Sequence, residues 1–267
     1  MSLPFREATR LQSVREGVFS ANVPDGWQQG RGAFGGLVLG YLVRGVLTTE
    51  HDASRTLRTL SADIVGPLLP GPAEVHVREL RRGRSQTNMQ MELLQQGEVL
   101  ASGVCTLSTP RPADVPPVVP SAPALARSPW REAPVTGIRP PFGPVFAQHY
   151  EFRNLGPAPF SGASEATTAG FVRELGADGP LDAASVTALL DSYFPTLLTT
   201  RTAPTATATI SFASQYFAGD EPLSADEPLF LHARMVTQRD GYFVEFRELW
   251  HGDRLVALNQ QTFAVLK

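Results

Sequence analysis

The chain lacks several features that would settle its chemistry at a glance. It has one cysteine, Cys105, in 267 residues, which excludes an internal disulfide and fits a reducing compartment. Its five histidines show no His-x-x-x-His or Cys–His spacing, so no metal site is expected. No Gly-x-Ser-x-Gly occurs, which removes a serine nucleophile elbow. No apolar run reaches the roughly 20 residues that span a bilayer. The N-terminus carries Arg6, Glu7, Arg10, Arg15 and Glu16 without the apolar core of a signal peptide. The formal net charge of −3 gives no electrostatic pull toward nucleic acid. A soluble, cytoplasmic protein with no cofactor is the expectation.

What is present centres on Arg31-Gly32-Ala33-Phe34-Gly35-Gly36-Leu37-Val38-Leu39-Gly40-Tyr41-Leu42-Val43. Glycines open this stretch and an almost unbroken apolar run follows, through Val46 and Leu47. A helix apolar nearly all round belongs in a core or inside a wrapping sheet. Its first turn, at Gly35 and Gly36, offers unpaired backbone N–H groups with no side chain in the way. Such a turn can hold an anion, or a carbonyl that becomes one. Gly30-x-Gly32-x-x-Gly35 formally fits a dinucleotide-binding pattern, but no strand leads into it and no parallel βαβ unit surrounds it.

Strands are expected at Gly17–Asn22, Thr59–Val65, Glu74–Leu80, Thr87–Gln95 and Val99–Ser108, where polar and apolar residues alternate between turn signals. From Thr109 to Pro144 the character changes, with eleven of the 23 prolines; this reads as an extended linker. Beyond it the pattern returns. Phe146–Arg153 and Thr167–Glu174 are strand-like, and Leu181–Phe194 is helical, with Asp182 at its start and Pro195 past its end. Ala206–Phe217, Phe230–Thr237, Tyr242–His251 and Leu255–Leu266 complete a second meander. Glu92-Leu93-Leu94, Gly97, Leu100-Ala101 and Thr106 can be laid over Glu248-Leu249-Trp250, Gly252, Val256-Ala257 and Thr262. An internal duplication follows. The expected units are residues 1–108, a linker at 109–145, and residues 146–267.

A sheet wrapped around a helix, present twice, is an α+β double hotdog: two tandem halves, each an antiparallel sheet around a long central helix. Phe34-Gly35-Gly36 with Val38 and Gly40, then Leu69-Pro70-Gly71 and Gly83-Arg84-Ser85, resemble the N-terminal half of the acyl-CoA thioesterase II family. Pro204-Thr205 with the alternation to Phe212, then Gly252 to Gln261, resembles its C-terminal half. The resemblance implies an acyl-CoA thioesterase of lipid metabolism, acting on acyl-CoA or another acyl thioester without a covalent intermediate. By the same resemblance Asp191 activates water, while Thr205 and Gln261 hold it. Gly36 is the expected oxyanion or carbonyl donor, and Phe34, Gly35 and Arg84 the expected substrate contacts. Arg78, Arg81, Arg82 and Arg84 also admit a plainer reading as a solvated hairpin. Cys105 takes the position of Gln261 in the first half. Where family members often carry His and Arg-Pro, this chain has Ser211-Phe212-Ala213-Ser214-Gln215, a change that bears on substrate choice.

Two other functions fit a hotdog, because fold alone does not set chemistry. One is a hydratase or dehydratase, which would favour a histidine beside a carboxylate near a helix start; neither central helix contains one. The other is a non-catalytic acyl-thioester-binding or assembly module. Pairing through edge strands makes a homodimer or higher homo-oligomer the expected assembly.

Overall fold

The computed structural model describes residues 3–111, 114–116, 118–138, 140–141, 143–217 and 221–266. The glycine-led apolar run forms helix α1 (Gly35–Thr49), with Phe34 as N-cap. Leu37, Val38, Leu39, Tyr41, Leu42, Val43 and Val46 are all buried. At roughly 1.5–3 kcal/mol for each large apolar side chain removed from water, this one helix contributes a large part of the core.

Among the described residues the main sheet has twelve strands: β1 (Gln12–Arg15), β2 (Val18–Val23), β3 (Thr56–Ile64), β4 (Gly71–Arg82), β5 (Gln86–Gln95) and β6 (Glu98–Ser108) in the first half. The second half supplies β7 (Tyr150–Asn154), β8 (Thr167–Glu174), β9 (Thr207–Tyr216), β10 (Leu229–Arg239), β11 (Tyr242–His251) and β12 (Arg254–Val265). They form a single antiparallel sheet in the order β1-β2-β4-β5-β6-β3-β9-β12-β11-β10-β8-β7. The two meanders join where β3 pairs with β9, from Asp63 opposite Ser211 to Thr59 opposite Gln215. The centre of that ladder, Ser61 opposite Ala213, is a local two-fold relating the halves. About it, Leu93 opposite Ala101 repeats as Leu249 opposite Ala257, the register expected of a duplication.

The second central helix, α2 (Ala183–Asp191), is nine residues long, shorter than the Leu181–Phe194 expected. Asp182 starts it by accepting hydrogen bonds from the Ala184 and Ser185 N–H groups, each at 3.0 Å, as an N-cap should. It ends early because Pro195 follows and the chain turns into a separate short helix at Leu197–Thr200. The helices lie antiparallel: Gly35 at the start of α1 meets Asp191 at the end of α2, and Arg44 near the end of α1 bonds Asp182 at 2.5 Å. One apolar core runs through both halves, joining Phe34, Leu37 and Val43 to Phe152, Leu189 and Leu190.

The proline-rich segment does not hang free. Ala122 and Ala126 pack with Phe171, Phe230 and Trp250 in a smaller cluster. Thr136 donates its N–H to the Phe152 carbonyl at 2.7 Å. Proline lacks the N–H that a regular ladder needs, so these described residues are held by packing and single bonds.

Candidate active site

The site lies where the start of α1 faces the end of α2. Asp191, the last residue of α2, is buried. Gln261 reaches it from β12: its side-chain N–H donates to Asp191 Oδ1 at 2.6 Å and to the Thr209 hydroxyl oxygen on β9 at 2.8 Å. In that bond the Thr209 hydroxyl is the acceptor. Gln261 Oε1 is buried with no protein partner among the described residues. A buried amide oxygen left open costs free energy unless something bonds to it, which marks the position as one meant to face a water or a ligand.

Gly35 makes this geometry possible. A Cβ there would stand 2.5 Å from Asp191 Oδ2, so any side chain would displace the carboxylate. A Cβ at Gly36 would stand 2.9 Å from the Ala188 backbone, so glycine also sets how closely the helices approach. Burial pushes the Asp191 carboxyl up to about 6, against the Arg247 charge, the Gln261 hydrogen bond and the Gly36 N–H, while Glu245 adds to the rise. An Asp tuned this way is ionised at neutral pH yet basic enough to take a proton.

Asp191, Gln261, Gly35 and Gly36 therefore come together. Gly36 opens α1 beside Asp191, and its N–H draws the Asp191 carboxyl down. Thr205 is elsewhere. It precedes β9, and its hydroxyl donates back to the Ala203 carbonyl at 3.2 Å. The threonine at the site is Thr209, missed because a bulge between Thr209 and Ser211 breaks the alternation. Counting inward from Phe212, strict period two would turn Ile210 to the core; the extra residue sends Ile210 out, 40% exposed, and Thr209 in. Phe34 is fully buried, its ring stacked on Phe146 at 3.9 Å, so it walls the site as a packed residue. Arg84 lies far off. Its carbonyl accepts from Arg55 in a turn tied to the end of α1 through Thr87 and Glu50, 2.7 Å apart. A fifteen-residue helix of about 22 Å separates that end from Asp191.

A buried pair on β11, Glu245 and Arg247, also escaped notice. Both are essentially inaccessible, and Arg247 Nη1 donates to the Leu190 carbonyl at 2.9 Å. The signal was there in Phe243-x-Glu245-x-Arg247-x-Leu249: two charges on the face that alternation assigns to the core.

Comparison with known proteins bears on what these residues do. Residues 23–108 match the family model for the acyl-CoA thioesterase N-terminal domain, and residues 113–265 that for the C-terminal domain. The chain belongs to the acyl-CoA thioesterase family. It is a thioester hydrolase with the double-hotdog fold. A hot-dog-fold protein of unknown function from Alicyclobacillus acidocaldarius is 22% identical, with 98% of each chain covered and a TM-score of 0.85. A thioesterase II candidate from Thermobifida fusca YX is 23% identical over 100% of both chains, TM-score 0.83. An acyl-CoA thioesterase II from Mycobacterium marinum is 18% identical, covering 98% of this chain and 96% of its own, TM-score 0.74. No curated protein sequence matches. Among the described residues of this thioesterase, no cluster of His, Cys, Asp or Glu could hold a metal ion, and no helix is long and apolar enough to cross a membrane.

Proposed function

We propose that this thioesterase hydrolyses an acyl-CoA by direct attack of water, with Asp191 as general base and Gln261 and Thr209 holding the water. The observation that carries the reading is the bridge made by Gln261, 2.6 Å from Asp191 and 2.8 Å from Thr209, with its own oxygen unspent. A water placed there has an acceptor in Gln261 Oε1, a donor in the Thr209 hydroxyl and a base in Asp191. Asp191 takes one water proton as the oxygen bonds the thioester carbonyl carbon. The C–S bond of the tetrahedral intermediate then breaks, and the thiolate, a good leaving group, departs without a strong general acid. The positive end of the α1 dipole adjoins the reacting centre and favours the negative charge of the intermediate. The group bonded to Asp191 among the described residues is the Gln261 amide, not the histidine that a hydratase would favour.

The test is thiol release from short-, medium- and long-chain acyl-CoAs by the wild type beside Asp191→Asn. Turnover by the wild type, lost in a folded variant, is the expected result. Turnover that survives in Asp191→Asn would remove Asp191 from the mechanism. Binding of acyl-CoA with no turnover by the wild type would favour the acyl-binding module instead.

A further inference from the structure

Strand β11 places two charges in the core where apolar residues would cost less. Removing an ion from water costs several kcal/mol even after relaxation, and well-packed apolar replacements of buried ion pairs are often neutral or stabilising. Glu245 and Arg247 are 0% and 1% exposed, so their retention calls for a reason other than stability.

Their hydrogen bonds supply one. Glu245 Oε1 accepts from Arg247 Nε at 2.8 Å and Nη2 at 2.5 Å. Its other oxygen accepts from the Thr196 N–H at 2.8 Å and the Thr196 hydroxyl at 2.5 Å. Held in this way, Arg247 turns Nη1 to the Leu190 carbonyl at 2.9 Å and the Tyr193 carbonyl at 3.2 Å. Those carbonyls flank Asp191 in sequence. The end of a helix leaves its last carbonyls unpaired and carries partial negative charge, an unfavourable place for a carboxylate. A guanidinium whose Nη1 donates to a carbonyl on either side of Asp191 answers both problems.

We propose that Arg247, braced by Glu245 and Thr196, is the positioning residue for Asp191: it clamps the backbone on either side and keeps the carboxylate aimed at Gln261. This rests on Asp191 being the general base. The groups that face Asp191 from the elements packed on it are Arg247 and Glu245 on β11, Gln261 on β12, the Gly36 N–H on α1, and Tyr150 on β7, whose phenol is raised by burial and by the Glu174 and Asp191 charges. Arg247 is the cation of the set. Its loss must therefore make the carboxylate easier to protonate, whereas neutralising Glu245 must do the opposite.

The experiment is thiol release from acyl-CoA by the wild type, Arg247→Lys, Arg247→Met, Glu245→Gln, Thr196→Val and Asp191→Asn from about pH 5 to 9, with circular dichroism to check folding. Arg247→Lys keeps the charge and loses the fork, so kcat falls about tenfold at little-changed KM while the acid limb stays in place. Arg247→Met moves the acid limb upward by about one pH unit, and Glu245→Gln moves it downward. Opposite movements are the signature that a merely structural pair would not produce. If Arg247→Met does not fold, Arg247→Lys and Thr196→Val decide by their kcat alone. Wild-type kcat and an unmoved acid limb in the folded Arg247 variants, or wild-type kcat in both Arg247→Lys and Thr196→Val, would overturn the proposal. In either case inactive Asp191→Asn leaves the general base standing, whereas active Asp191→Asn removes the base and this inference together.

Discussion

The two ends of the helix pair are built alike and furnished differently. The local two-fold at Ser61 and Ala213 sets Leu57 against Thr209, Cys105 against Gln261, and Ile64 against Tyr216. Counted from the N-caps Phe34 and Asp182, Val43 stands where Asp191 stands. One end thus carries Asp191, Gln261 and Thr209. The other carries Val43, Cys105 and Leu57, and Tyr216 fills it, its hydroxyl bonded to Thr187 at 2.6 Å and Ser214 at 2.9 Å. The same backbone thus accommodates Asp191, Gln261 and Thr209 at one end and Val43, Cys105 and Leu57 at the other. Among the described residues, the candidate active site lies at the first of these ends.

The largest effect that separates the ends is expected from paired substitutions. Asp191→Asn should lower kcat about 10³-fold, in the range for losing a general base, while Cys105→Ala should leave kcat within about twofold. Equal losses in steady-state thiol release would break the comparison. Next come Gln261→Leu and Thr209→Val, each expected to lower kcat about 10–100-fold through the water they hold, with Thr205→Ala at wild-type rate. A large loss at Thr205 and none at Thr209 would remove Thr209 from the site.

The acid limb of the wild-type pH–rate profile should fall near pH 6, where the Asp191 carboxyl titrates; at the other end, beside Asp182 and Arg44, burial raises the Glu174 carboxyl to about 7. Stability carries the same signature with the sign reversed. A carboxyl raised in the folded state binds more protons there than in the unfolded chain. Its burial penalty is therefore absent below about pH 4 and complete above about pH 6. Asp191→Asn should then raise stability at pH 8 by on the order of 1–3 kcal/mol, and that gain should vanish toward pH 4. Denaturant melts at the two pH values check it; a constant gain would mean the Asn packs better for some other reason. The smallest effect concerns reactivity. Burial pushes the Cys105 thiol up to about 12, so it should resist alkylation in the native protein and react once unfolded.

How far the chain could be read depended on whether the signal was local. α1 was legible because glycines followed by an all-apolar run admit few other structures, and most strands because alternation is a backbone property. Asp191 and Gln261 were named by the family resemblance, and the structure brings them within 2.6 Å of each other. Thr209 was hidden by a bulge, since a single extra residue reverses the facing of all that precedes it and leaves no mark in composition. Arg84 was an expected substrate contact through the resemblance, and its turn is tied to the end of α1 opposite Asp191. Glu245 and Arg247 were visible as misplaced charges, but nothing in the strand says that Glu245 accepts from Thr196 and Arg247 donates to the Leu190 and Tyr193 carbonyls.

The sequence by itself determined the duplication, the helix-in-sheet architecture and the chemical types at the site, because hydrophobic period, glycine placement and turn residues act over a few neighbours. Only the tertiary structure decided which threonine faces Asp191, which helix end is chemically equipped and how Arg247 is spent. Those are questions of register and antiparallel packing between segments far apart in the chain, and their answers depend on distances that no local pattern encodes.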